Sequence, residues 1–198
     1  RGSGKSFSFA LMAAVFGYRD KLRILCTREF QASIKESFHA ELKQAIQSID
    51  WLSQHYDVGV DYIRGKNGTE FLFKGLRHNI GSVKSTAKID LCIIEEAEDI
   101  PNNAWIDLLP TIRSEKSEVW VIWNPKRKGS PVDERFIISP PDGDEKMLIA
   151  KMNYNDNPYF PEVLDKLRNT ELRTMDYAQY RHTWEGKYWS VTDAQVLK

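Results

Sequence analysis

Cysteine is nearly missing from this sequence: Cys26 and Cys92 are the only two among 198 residues. Two are too few for the disulfide framework that a small secreted domain depends on. Each lies inside an apolar run, at residues 22–27 and 91–94, so both read as reduced core thiols in a reducing cytoplasm. Long apolar runs are missing as well, which excludes a helical membrane span, and no stretch has the layout of a signal peptide. Neither sign of charge predominates, with 28 basic against 28 acidic residues. The chain as a whole therefore does not announce a polyanion partner, although a local basic face on a neutral protein is compatible with one. Internal repeats and low-complexity tracts are absent. There is no initiating Met either. The chain opens on Arg1-Gly2-Ser3-Gly4-Lys5-Ser6, and residues 191–198 supply no finishing element; an excised piece of a longer protein is expected.

What is present is a succession of short apolar runs alternating with helical patterns. Residues 6–16 carry Phe7, Leu11, Ala14 and Val15 on one helical face, with Gly17 as a C-cap. Residues 22–27 form a short buried strand. Over residues 30–49 the apolar positions Ile34, Phe38, Leu42, Ile46 and Ile49 recur at helical spacing, predicting one long amphipathic helix. Lys66-Asn67-Gly68 separates strand-like runs at 58–64 and 69–73, a hairpin signal. Strands are also predicted at 89–94, 119–123 and, last, 147–152. Residues 103–109 predict a short helix, Pro110 opens another, and 124–145 reads as a long loop. After Asn153-Tyr154-Asn155-Asp156-Asn157-Pro158 the composition shifts, and residues 161–169 and 173–183 read as short helices. Strands alternating with helices predict an α/β fold with a mostly parallel sheet flanked by helices. The expected organisation is a core over residues 1–152 and a small helical linker subdomain over 153–198.

The opening six residues match the closing half of the phosphate-loop pattern G-x-x-x-x-G-K-[ST]. Glycines let backbone N–H groups curl around phosphates, and the helix that follows offers its positive N-terminal end. In that reading Gly2, Ser3 and Gly4 line the phosphates of ATP, Lys5 reaches the β- and γ-phosphates, and the Ser6 hydroxyl holds Mg²⁺. The same few residues would also suit a plain Gly-Ser linker. The decisive partner lies downstream. The apolar run Leu91-Cys92-Ile93-Ile94 ends in Glu95-Glu96, and ligands of open α/β sheets gather at the carboxyl ends of strands. There the first carboxylate serves the Mg²⁺ shell and the second activates water for attack on the γ-phosphate. The longer side chain of Glu95, where Asp is common, suggests contact through a water. A water-activating acid argues for an ATPase that couples hydrolysis to movement rather than for a sugar or nucleotide kinase.

Other residues leave two readings open. Arg1 suits an arginine finger or an ordinary loop residue. Asn124, between a strand and Pro125, suits a γ-phosphate sensor or an Asn-Pro turn. Lys126-Arg127-Lys128, Lys84, Lys88, Arg64, Lys66, Lys74 and Arg77 suit duplex phosphates or a solvated face. The six tryptophans fit packing better than base stacking.

Taken in order, these features resemble the large terminase subunits of tailed double-stranded DNA phages. They are the Arg-bearing loop from Arg1 to Ser6, Phe73-Lys74-Gly75-Leu76, Glu95-Glu96, Asn124-Pro125 and Tyr154-Asn155-Asp156-Asn157-Pro158. The resemblance implies a RecA-like P-loop ATPase domain, a small helical subdomain and a hinge to a C-terminal metal-dependent nuclease. It implies Arg1 as in-cis arginine finger, Lys5 and Ser6 as the phosphate-loop pair, Glu95 and Glu96 as the Walker B pair, and Asn124 as the coupling residue. It further implies ATP and Mg²⁺ as cofactors, and double-stranded DNA, a portal protein and a small terminase subunit as partners. A homo-oligomeric ring on the procapsid, in the cytoplasm of the infected host rather than in the mature virion, is expected. The rival readings are a helicase-like translocase unconnected with packaging and a nucleotide-gated binding module that does not hydrolyse.

Overall fold

The computed structural model describes residues 2–30, 34, 37–77, 81, 83, 86, 88–140 and 147–189. The chain groups into two compact units, Ser6–Trp123 and a discontinuous one of Arg1–Lys5 with Asn124–Lys198. In the first, six strands form one sheet: β1 (Arg23–Arg28), β2 (Tyr56–Val58), β3 (Ile63–Gly65), β4 (Glu70–Gly75), β5 (Leu91–Ile94) and β6 (Glu118–Val121). Their order is β2-β3-β4-β1-β5-β6. The pairs β1–β4, β1–β5 and β5–β6 are parallel, whereas β2–β3 and β3–β4 are antiparallel. All four residues of β5 are apolar and buried, and the four middle residues of β1 are buried too, because both faces of these strands are covered, the usual condition of a parallel sheet. Ile24, Cys26, Phe71, Phe73 and Ile93 join one core with Ala10, Ala13 and Ala14 of α1 (Lys5–Arg19) and with Phe38, Leu42 and Ile46 of α2 (Phe38–Gln47). By strand alternation Leu25, Cys92 and Ile94 point the other way, and they too are fully buried.

Several expectations shift. Gly17 does not cap α1, which runs on to Arg19 with Gly17 buried inside it. A Cβ at Gly17 would stand 2.7 Å from Tyr56 Oη and 2.8 Å from Thr69 Cγ2, so the glycine permits close approach of the β2–β4 meander. Its carbonyl accepts from Thr69 Oγ1 (2.7 Å) and Asn67 Nδ2 (2.9 Å). The single helix expected over 30–49 is divided. Phe38, Leu42 and Ile46 are buried on α2 as their period predicts, but Ile49 turns extended and α3 (Asp50–His55) follows. Residues 31–33, 35 and 36 of that expectation lie outside the described residues. The strand expected at 58–64 is two strands, β2 and β3, separated by a tight turn in which the Gly59 N–H donates to Tyr62 O at 2.9 Å. The Asn-Gly hairpin forms, with Gly68 at φ +89°. Residues 102–108 form α4 (Asn102–Leu108), and a 3-10 turn, Leu109–Thr111, begins around Pro110.

In the second unit, the strand expected at 147–152 does not form. Leu148 is 91% exposed; the apolar run 147–150 has no core to face. The expected loop 124–145 contains a helical turn, α5 (Pro131–Asp133), which widens into a π-turn at Glu134–Ile138. The buried Asp133 carboxylate accepts from Gly129 N and Tyr188 Oη. Two helices close the unit, α6 (Glu162–Thr174) and α7 (Tyr177–Glu185). They separate at Met175 because Asp176 caps α7, accepting from Gln179 N at 3.1 Å. Trp184 is buried and donates to Glu171 Oε2 at 2.7 Å, with Phe160 and Tyr154 packed edge-on against it. Trp105 is fully buried as well, while Trp51 and Trp189 remain well exposed.

Both cysteines are free and buried, and burial pushes the Cys92 thiol up to about 12. Iodoacetamide at pH 8 is therefore expected to label neither thiol in the folded chain and both in denaturant; native labelling, read by mass spectrometry, would contradict this packing. Gly17→Ala should destabilise by about 1–3 kcal/mol through overpacking, opposite in sign to the gain expected of alanine in an open helix. Urea unfolding measures it.

Candidate nucleotide-binding site

Parallel register decides what meets at the carboxyl edge of the sheet. Ile24 pairs with Leu91 and Thr27 with Ile94, and the Glu95 N–H donates to Thr27 O at 2.9 Å. Arg28 and Glu95-Glu96 consequently leave β1 and β5 side by side. Glu95 is buried, at 6% exposure, and both of its carboxylate oxygens accept hydroxyl protons. Ser6 Oγ donates to Oε1 at 2.8 Å, and Ser37 Oγ donates to Oε2 at 2.9 Å. The guanidinium of Arg28 donates to Ser37 Oγ at 2.8 Å through one nitrogen and pairs with the Glu96 carboxylate through the other. The chain turns sharply at Glu96, where φ 48° and ψ 47° place a non-glycine residue in the left-handed region. Such backbone costs on the order of 1–3 kcal/mol and clusters at functional sites. It also separates the consecutive acids: Glu95 turns into the protein, and the Glu96 side chain is 46% exposed.

In the other unit the opening loop is shaped by two glycines, Gly2 at φ +70° and Gly4 at φ +74°, a conformation in which glycine carries no Cβ penalty. A Cβ at Gly2 would fall 2.3 Å from the Phe160 ring. The Gly2 carbonyl accepts from Asn157 Nδ2 at 2.7 Å, and Asn157 Oδ1 in turn accepts from Tyr159 N at 2.9 Å. Ser3 is buried. The Lys5 ammonium donates to Asn124 Oδ1 at 2.8 Å and to Ser3 Oγ at 3.3 Å.

Of the residues singled out in the sequence, the structure thus joins Ser6 to Glu95 and Lys5 to Asn124, and pairs Glu96 with Arg28. Arg1 and Lys84 lie outside the described residues. Among the basic candidates, Lys74 donates to Thr86 Oγ1 at 2.9 Å, its pKa lowered first by burial and then by Arg23. Arg77 pairs with Glu29 at 3.2 Å and lies over the Phe30 ring. Three residues escaped sequence reasoning: Arg28, Ser37 and Asn157. Arg28 closes the strand beside the acidic strand, and parallel pairing alone could have nominated it. Asn157 sits within a motif already noted, but its service to the loop depends on a contact over 155 positions. Ser37 gives no sequence signal.

The donor set fits Mg²⁺. A serine hydroxyl and a carboxylate 2.8 Å apart are hard oxygen donors, and this ion characteristically takes one or two carboxylates together with phosphate oxygens and water. Among the described residues no cluster of three His, Cys, Asp or Glu could cage a metal by itself.

The family model of the phage terminase large subunit matches residues 1–187. No curated protein matches the sequence. Among solved structures, the large terminase of a thermophilic bacteriophage superposes with a TM-score of 0.72 at 13% identity, covering 90% of this chain and 44% of that one. Its complex with ADP gives 0.71 at 13% identity, covering 93% and 45%. The large terminase ATPase domain of a Thermus phage gives 0.64 at 14% identity, covering 96% of this chain and 86% of that domain. The chain therefore spans less than half the length of the first relatives it matches, and at these identities the likeness establishes the fold alone, one shared with the ATPase domain of the Thermus phage large terminase. With the family model matched over nearly all of its length, the chain belongs to the phage terminase large subunit family.

Proposed function

We propose that this chain is the ATP-hydrolysing motor domain of a phage large terminase, coupling hydrolysis to the movement of double-stranded DNA into a procapsid. The observation that carries the proposal is the hydrogen bond from the Ser6 hydroxyl to Glu95, which brings the residue ending the phosphate loop to the acidic pair. The neighbouring structures that hold ADP and ATP-γ-S support a nucleotide as ligand.

In this reading the backbone of Gly2, Ser3 and Gly4 cradles the phosphates, and Lys5 and Arg1 offset the charge that develops on the γ-phosphoryl group. Ser6 and Glu95 would hold Mg²⁺, which when bound would supply positive charge to stabilise the phosphates. Glu96 orients water and accepts its proton as the water oxygen bonds to the γ-phosphorus and the bond to the β-phosphate oxygen breaks, releasing ADP and phosphate. Asn124 supplies coupling: its amide oxygen accepts from Lys5, and a phosphate that takes over this ammonium breaks that bond. The basic loop Lys126-Arg127-Lys128 provides charge for duplex phosphates. The portal protein, the small terminase subunit, a ring of copies on the procapsid and a nuclease elsewhere in the full-length protein complete the proposed machine, which works in the infected cell's cytoplasm.

Glu96→Ala in the full-length protein should leave ATP binding intact and lower steady-state hydrolysis by about 10²–10⁴-fold, the usual worth of a general base; unchanged phosphate release would remove Glu96 from its role. Glu96→Gly should be equally inactive yet more stable than Glu96→Ala by about 1 kcal/mol, because only glycine relieves the left-handed backbone. Equal melting temperatures for the two variants would dismiss that strain. For the wider function, ATP-dependent protection of duplex DNA from nuclease should require portal-bearing procapsids. Unwinding of a forked duplex without them would favour the helicase-like alternative.

A further inference from the structure

Resting on the nucleotide reading above, we infer that Ser37 is a positioning residue for the metal-holding acid, fixing Glu95 so that one carboxylate oxygen is always presented to Ser6. A glutamate in this place has one more methylene and one more rotor than an aspartate, and its terminal torsion is a broad, weakly restricted one. A single hydrogen bond from Ser6 leaves the carboxyl plane free to swing. The second bond, from Ser37 Oγ to Oε2 at 2.9 Å, closes that freedom.

Two observations bear on how this hydroxyl is used. Ser37 occupies the N-cap position of α2, where serine ordinarily accepts from a backbone N–H of the first turn, yet its side chain makes no capping bond. A serine hydroxyl has one proton to give. Because Arg28 donates to the Ser37 oxygen at 2.8 Å, that proton is left to point at Glu95. Arg28 thus sets the direction of the Ser37 hydroxyl, and Ser37 sets the plane of the Glu95 carboxylate. The outcome is a glutamate held as rigidly as a shorter acid, with its reach intact.

The test is ADP affinity of the full-length protein, measured by calorimetry with Mg²⁺ and again in EDTA, for the unmodified chain, Ser37→Ala and Ser37→Thr. Ser37→Ala should shrink the Mg²⁺-dependent gain in affinity by about 10–100-fold, the range seen when a residue supporting a metal ligand is lost, and should leave affinity in EDTA unchanged. Ser37→Thr, which keeps the hydroxyl, should retain the gain. A Ser37→Ala protein that loses affinity equally with and without Mg²⁺, or that keeps the full gain, overturns the inference. Absence of any Mg²⁺ gain in the unmodified protein overturns instead the nucleotide reading beneath it.

Discussion

The parallel ladder between β1 and β5 is the constraint on which the rest of the site depends. Parallel strands end on the same edge, so pairing Thr27 with Ile94 delivers Arg28, Glu95 and Glu96 together without any further instruction. An antiparallel pairing, or a slip of one residue, would send Glu95 away from Ser6 and turn every buried side chain of β5 toward the wrong face. Burial on both faces makes such a slip costly. The apolar run that looks like mere core is therefore what aims the acids.

A second theme is the different surroundings given to two neighbouring carboxylates. Side by side on a regular strand end they would share one environment. The left-handed turn at Glu96 parts them, so that Glu95 is enclosed by the hydroxyls of Ser6 and Ser37 while Glu96 meets Arg28 nearer the solvent. Separate surroundings permit separate tasks, which is the general logic by which paired acids are divided between roles.

Much of this was legible in the residues. The spacing of Phe38, Leu42 and Ile46, the Asn67-Gly68 turn and the run Leu91–Ile94 before its two acids are patterns of period, turn chemistry and composition, and each appears where it was expected. What escaped was of another kind. Gly17 looks like a helix stop because glycine often is one; that it instead admits Tyr56 and Thr69 depends on a meander dozens of residues away. Ser37 lies inside what reads as one helix, and only tertiary contact shows its hydroxyl turned to Glu95. Residues 147–152 resemble a strand in their apolar composition, but such a run forms a strand only where a ladder and a core exist to receive it. Local physics was readable, and the uses made of it by distant partners were not.

The brace on the phosphate loop has a consequence for biosynthesis. Asn157 grips Gly2 across 155 positions, and Phe160 packs over the same glycine. Translation at about 5–20 residues per second separates these partners by roughly 8–30 seconds. Through that interval the nascent loop lacks the side chains that set its shape. The conformation of the opening loop is thus completed late, after the sheet has had time to assemble.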